Sequence, residues 1–220
     1  MEGSLEASAK ERPQTLDCGV ADYRAILGLQ LELHAKRLAG QSADTVLICE
    51  HLPVITLGAR RSANRLLASP MAISSQGIDL VEVSRGGGAT AHNPGQLVLY
   101  PIIDLRKRGI SAGQYVRTLE ALGMELLSIL GLQVQVRNRL PGLWVDQRKI
   151  ASIGVRISRG VSFHGMAINI QNDLQIFDLF VPCGLDGVHV TSLLKETGQT
   201  CAMALVKEKA AELLIRYLTS

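Results

Sequence analysis

The stretch Ser84-Arg85-Gly86-Gly87-Gly88-Ala89-Thr90-Ala91-His92-Asn93-Pro94-Gly95-Gln96 restricts the fold of this chain more than any other. It lies between two strand-like segments, Asp79 to Val83 and Gln96 to Tyr100, so the backbone must pass from one strand to the next through four glycines and a proline. Glycine tolerates positive φ and close approach because no Cβ stands in the way. Such a loop makes a floor on which something flat or extended can lie; a plain hairpin connection is the other reading. Nothing in it matches GxxxxGK[ST], and a strand follows it rather than a helix, so it is not a phosphate loop of the P-loop kind. His92 reads either as an acid–base or orienting group or as a histidine hydrogen-bonded to the turn.

The rest of the chain reads as an ordinary globular protein. At 220 residues with 47% hydrophobic and 20% charged residues, it can bury a real core in one domain. The expected division is a loose tail over residues 1–16 and a single catalytic domain over residues 17–220. Aromatics make up only 4%, so Leu, Ile, Val and Ala must fill the core. A net charge of +3 argues against general nucleic-acid binding, which needs a concentrated basic face, and suits an acidic partner. No apolar run reaches membrane-spanning length. Glu2, Glu6 and Glu11 are wrong for an acid-poor transit peptide. The cysteines, Cys18, Cys49, Cys183 and Cys201, have no metal-ligand spacing. A reduced cytoplasmic monomer with no metal or cofactor, bound to neither membrane nor nucleic acid, is the expectation.

Hydrophobic periodicity predicts a helix from Asp22 to Gly40, strands over Thr45–Glu50 and Val54–Leu57, and a polar loop from Arg60 to Gly77 with one helical turn near Leu66. Ser111-Ala112-Gly113-Gln114 has the form of a capping box opening a helix that Gly131 closes. Short strands follow over Gln133–Arg137, Leu143–Val145, Lys149–Ile157 and Ser162–Ile170, then a loop from Gln171 to Pro182 and a last helix over Met203–Leu218. Strands in runs with helices inserted, without regular βαβ alternation, predict an α+β fold with a mixed or antiparallel sheet flanked by helices.

Three places carry residue types that packing alone does not ask for. His164, Gly165 and Asn169 interrupt a strand otherwise suited to Val or Ile; a close ligand approach explains Gly165, as does a bulge. Cys183 stands between Pro182 and Gly184, in a constrained loop able to present a side chain to a cavity. A free cysteine is only about 3% thiolate at neutral pH, so catalysis there needs a nearby cation or base. Lys149 opens an apolar strand and is the most interesting cation in the chain, although a lysine at a strand end is ordinarily solvated.

Together these segments resemble the octanoyl (lipoyl) transferases, the lipoate-protein ligase B family. Arg85 through Gln96 resembles their RGGxxTxHxPGQ motif, and Lys149-Ile150-Ala151-Ser152-Ile153-Gly154-Val155-Arg156 their KIxxxGxR segment. Phe163-His164-Gly165 with Asn169 is similar to HGxAxN, and Pro182-Cys183-Gly184 with Thr191-Ser192 to the PCG…TS ending. The motifs occur in the right order between about His51 and Leu194.

The resemblance implies a fold similar to the biotin and lipoate ligases. It also implies transfer of an octanoyl group from acyl carrier protein to a lysine of the lipoyl domains of 2-oxoacid dehydrogenase E2 subunits, or of the glycine-cleavage H protein. By position Cys183 matches the family's acyl-thioester nucleophile and Lys149 the lysine that tunes it. The acyl-binding positions carry over onto Arg85, Gly86, Gly87, Gly88, Ala89, Thr90, Ala91 and His92, onto Ser152, Ile153 and Gly154, and onto His164, Gly165, Met166 and Ala167. A thiolate exchanges with a thioester without ATP. Lys149 as ammonium would stabilise that thiolate, and as free amine would take a proton from the incoming nucleophile.

An ATP-dependent lipoate ligase is the nearest rival, yet it has no need of a cysteine at 183. A catalytically dead relative that binds lipoyl domains or acyl carriers would have no reason to keep both Lys149 and Cys183. A biotin ligase lacks support, since no GRGRxxR-type loop occurs. Ala91 and Asn93 replace the aromatic residue and glycine usual in the family, which suggests a wider or more polar acyl slot. Arg106, Lys107 and Arg108, with Arg137, Arg139, Arg148, Arg156 and Arg159, offer either a docking face for acidic carriers or a merely solvated basic surface.

Overall fold

The computed structural model describes residues 12–184 and 186–219; the side chain of Cys183 and most of the expected N-terminal tail lie outside the described part. Two sheets form the scaffold. The larger follows the order β1-β2-β6-β10-β9-β8-β7, with a short β11 added to β9. Its strands are β1 (Gln14–Ala21), β2 (Thr45–His51), β6 (Gln96–Ile102), β7 (Gln135–Arg137), β8 (Leu140–Val145), β9 (Arg148–Ser158), β10 (Val161–Asn169) and β11 (His189–Val190). β1 runs parallel to β2 and β11 parallel to β9, while the remaining pairs are antiparallel. The smaller sheet has the order β4-β3-β5, from β4 (Asp79–Glu82), β3 (Val54–Leu57) and β5 (Thr90–His92). The mixed sheet flanked by helices is the architecture that the sequence predicts.

The central strands β2, β6 and β10 are buried along their whole length because helices cover both faces. Period-two alternation sorts their side chains. Val46, Ile48, Leu97, Leu99, Met166 and Ile168 face the core shared with α3 (Ala112–Ile129) and α5 (Met203–Thr219). Leu47, Cys49, Val98, Tyr100, Phe163 and Ala167 face α1 (Tyr23–Leu38). The Asp22 carboxylate caps α1 by accepting the Ala25 N–H, and the expected Ser111/Gln114 capping box starts α3. Gly123 lets α3 lie close on the sheet, since a Cβ there would stand 2.7 Å from Leu143 Cδ1.

The structure departs from the sequence expectations at several points. β1 begins at Gln14, inside the stretch expected to be loose, because backbone pairing with β2 recruits residues whose side chains are largely exposed. The loop after β3 holds a 3-10 turn at Arg61–Ala63 and the short helix α2 (Pro70–Ser74), not a turn at Leu66. The Gln171–Pro182 loop contains a 3-10 turn at Gln175–Leu179, and α4 (Leu193–Thr197) precedes α5. The basic cluster at 106–108 is not one surface: the Arg108 side chain is turned inward, with Nε 2.6 Å from Asp44, which also holds Arg37. Among the described residues no helix is long and apolar enough to cross a membrane.

Candidate active site

The glycine loop folds around Arg85. That guanidinium is buried, donating to Thr56 O and Oγ1 at 2.7 Å and to the carbonyls of Gly88 at 2.7 Å and Gly86 at 3.1 Å. Gly86 N–H donates to Val155 O at 3.0 Å, stitching the loop to β9. Gly88 and Gly184 press on the same residue, Ala63: a Cβ on Gly88 would lie 2.4 Å from its carbonyl oxygen, and one on Gly184 2.7 Å from its Cα. The 3-10 turn Pro182–Gly184, which carries Cys183, is thereby seated against the glycine loop through Ala63.

Between this loop, the α1 face of the large sheet and α1 itself lies a cavity of about 30 Å³. Arg85, Thr90 and His92 line it from the loop side, Ser152, Ile153 and Gly154 from β9, and His164, Gly165, Met166 and Ala167 from β10. The three sequence segments assigned to acyl binding therefore converge. Gly86, Gly87, Gly88, Ala89 and Ala91 are not among the lining residues. Ala89 and Ala91 point into the core of the small sheet beside Ile55 and Ile73, and the Asn93 amide donates to Asp173 O at 2.8 Å. The two family substitutions thus lie outside the wall of this cavity. Sequence reasoning missed Tyr23, Val98 and Tyr100, which complete the wall; their helical and strand spacing marks them only as core.

Hydrogen bonds fix the imidazoles. The Gln96 amide nitrogen donates to Ala91 O at 3.2 Å and Asn169 Oδ1 at 2.8 Å, so its oxygen accepts from His92 Nδ1 at 2.7 Å. The network thus assigns the His92 proton to Nδ1 and leaves Nε2 as an acceptor. His51 Nδ1 donates to Ala21 O at 3.1 Å, and its Nε2 accepts the Tyr100 hydroxyl at 2.9 Å. The three rings of Tyr23, His51 and His92 pack against one another with centroids 5.1–5.8 Å apart. His164 differs: its backbone is left-handed at φ +55°, its N–H donates to Gln30 Oε1 at 2.8 Å, and among the described residues neither ring nitrogen has a hydrogen-bond partner. Gly165 beside it is required, since a Cβ would sit 2.1 Å from Leu99 O. Burial lowers His51 to about 4 and His164 to about 3, the latter helped by the Arg85 and Arg156 charges, and pushes His92 well below its usual range. Burial likewise raises Tyr23 to about 12 and Tyr100 well above its ordinary value. At neutral pH these cavity imidazoles and phenols are uncharged.

Lys149 does not line the cavity; it stands a few residues earlier on β9. It is only 4% exposed, not a solvated strand end. Its Nζ donates to Pro141 O at 3.1 Å. β11 pairs alongside it, Val190 opposite Lys149, and Thr191 N–H donates to Lys149 O at 2.9 Å. Asn169 Nδ2 donates to Thr191 O at 2.9 Å, so one chain of hydrogen bonds runs from His92 through Gln96 and Asn169 to the strand beside Lys149.

Comparison with known proteins matches this architecture. The family model for the lipoyl protein ligase A/B catalytic domain covers residues 22–215. The octanoyltransferase of Roseiflexus sp. (strain RS-1) is 44% identical over 197 residues, spanning 87% of this chain and 81% of that protein. The mitochondrial octanoyltransferase of Arabidopsis thaliana is 43% identical over 189 residues, 84% of this chain and 80% of its own. Among solved structures, a lipoate-protein ligase A bound with ATP superposes with a TM-score of 0.72 at 15% identity, covering 94% of this chain and 86% of that one. The biotin protein ligase of Aquifex aeolicus gives 0.55 at 12% identity, covering 94% and 69%. At such identities these likenesses concern the fold alone.

Proposed function

This chain belongs to the lipoyl protein ligase A/B catalytic-domain family and is an acyltransferase that moves octanoyl groups in protein lipoylation, and on that premise we propose a two-step route through Cys183. The donor is the octanoyl thioester of acyl carrier protein. The acceptor is a lysine amine of a lipoyl domain, in 2-oxoacid dehydrogenase E2 subunits or the glycine-cleavage H protein. In the first step Cys183 gives its proton to Lys149, and the thiolate attacks the thioester carbonyl. The donor's C–S bond breaks, an acyl–Cys183 thioester forms, and the departing carrier thiolate takes the proton from Lys149. In the second step the acceptor amine attacks the acyl–Cys183 carbonyl, the amide forms, and the Cys183 thiolate leaves. The amine's proton passes to Lys149, which restores the starting ion pair.

The observation that carries this reading is the convergence of Arg85, Thr90 and His92 with Ser152–Gly154 and His164–Ala167 on one cavity beside the glycine loop, against which the turn that bears Cys183 is seated through Ala63. At about 30 Å³ the cavity has room for a water, not an eight-carbon chain. The acyl chain enters by displacing side chains on the α1 face of the sheet, where Val98, Tyr100 and Ala167 line the cavity. Burying the alkyl chain offsets that displacement at about 0.8 kcal/mol per CH₂. Neutral imidazoles matter here, because a charged imidazole next to hydrocarbon would be strongly disfavoured.

Intact-mass measurement after incubation with octanoyl-acyl carrier protein, without nucleotide, tests the route. One added octanoyl group is expected, lost in Cys183→Ser and slowed at least about 100-fold in Lys149→Ala. An unmodified wild-type protein that transfers octanoate only with ATP would sink it.

A further inference from the structure

Trp144 is the one tryptophan of the chain and is wholly buried. It stands on β8 directly opposite Lys149 of β9, with β7 on its other side. Its ring centroid lies 5.2 Å from Lys149 Nζ and 4.7 Å from Arg137 Cζ. Arg137 is fixed in turn, since its Nη2 donates to Asp146 O at 2.7 Å and to Gln147 Oε1 at 3.3 Å, in the turn that leads into β9. The indole Nε1 donates to Leu140 O at 3.4 Å. Gly142, at φ +128°, completes the enclosure: a Cβ there would come within 2.9 Å of Lys149 Cε.

A tryptophan used only as filler has no need to lie within cation–π range of two basic side chains. Lysine carries a compact charge on a flexible four-carbon stem, so a buried lysine needs something to choose among its rotamers. The π face and the Pro141 carbonyl do so here. A desolvated aromatic face attracts an ammonium far more than the same face in water, and strand order places the indole between the two cations.

We propose that Trp144, clamped by Arg137, is a positioning residue that holds the Lys149 amine at the head of β9 for its proton transfers. This rests on the reading of Lys149 given above. A catalytic amine displaced by an ångström loses much of its rate, so removing the aromatic face should cost turnover rather than donor binding.

The test compares Trp144→Phe, which keeps a π face, with Trp144→Leu, which does not; both leave a similar void. The rate of octanoyl addition to Cys183 is followed by intact mass, alongside thermal melting. Trp144→Leu should acylate at least about 10-fold more slowly than Trp144→Phe with donor KM changed less than about 2-fold, and Trp144→Phe should stay within about 3-fold of wild type. Equal rates in the two folded variants would overturn the proposal. A second readout needs no catalysis and stands even if Trp144→Leu fails to fold. Lys149→Met should alter the fluorescence emission of the single tryptophan, while Lys36→Met, on the exposed face of α1, should not. Unchanged emission in Lys149→Met would also overturn it. If Lys149→Ala acylates at the wild-type rate, the catalytic reading of Lys149 fails; if Lys149→Ala is inactive while the Leu and Phe variants match, only the positioning role fails.

Discussion

Two neighbouring corners of β9 handle polarity in opposite ways. At Ser152–Gly154 the strand lines a cavity whose imidazoles and phenols are held uncharged by burial and whose arginine is spent on loop carbonyls. Three residues earlier, at Lys149, the same strand buries an amine and gives it an aromatic face and a carbonyl. On the route proposed above, the difference teaches how one sheet can serve an alkyl chain and proton transfer side by side, with uncharged imidazoles and phenols along the cavity and the acid–base group just outside it.

Acid should break the first corner with the largest effect. His51, His92 and His164 have folded-state affinities for protons depressed by burial. Above pH 6.5 folded and unfolded forms both carry neutral imidazole. As pH drops below 6.5 the unfolded chain takes up protons that the fold refuses, so stability falls, down to about pH 4 for His51 and about pH 3 for His164. At pH 5 each such imidazole should take about 2 kcal/mol from the stability seen at pH 7.5. Carboxylates whose affinities are lowered, such as Asp104 and Glu196, still contribute there and are lost only at lower pH. Urea unfolding at the two pH values measures the loss, and His164→Gln should recover about a third of it. Equal stability at both would mean that the cavity histidines are not held neutral.

Next in size is the backbone at the cavity floor. Gly165→Ala places a Cβ 2.1 Å from Leu99 O, between two central strands that cannot separate, and should cost about 3 kcal/mol. Gly28→Ala, in the exposed middle of α1 with nothing within 4 Å, should instead stabilise by roughly 0.5–1 kcal/mol. Thermal melts of the pair would show whether close approach or mere helix and strand preference governs these glycines. A Gly165→Ala protein as stable as wild type would mean that the floor yields.

How legible each corner was in the sequence follows from the forces that build it. Helices announced themselves through caps and apolar spacing, as Asp22 and Ser111 did, because those signals are local. β1 did not, since an edge strand with exposed Leu16 and Val20 is held by backbone pairing rather than by side-chain burial. β5 is three residues long and exists only because β3 lies beside it. Within the candidate site, the motifs pointed to segments that meet at one cavity, but not to which side chains face it. Ala91 and His92 are adjacent, and strand alternation sends one into the small-sheet core and the other to the cavity. Lys149 read as a solvated strand end, because the β11 pairing and the Trp144 face that bury it come from residues distant in sequence or indistinguishable from core.

The finest distinction concerns acyl-chain length. Were the family substitutions at 91 and 93 the determinants, restoring an aromatic at Ala91 would narrow the slot. On the reading proposed above, length is set instead by Val98 of β6, which faces α1 and lines the cavity. Val98→Ala should therefore raise the rate with a ten-carbon donor, relative to an eight-carbon one, by at least about 10-fold, the scale on which a pocket discriminates single methylenes. Ala91→Phe should change that ratio by less than about 2-fold while lowering stability, because its ring would be forced among Ile55, Ile73 and Phe177 rather than into the acyl path. Competition between donors of six to ten carbons, scored by the mass added to Cys183, reads both variants at once. A length shift in Ala91→Phe without one in Val98→Ala would move the boundary of the slot from β6 to the glycine loop.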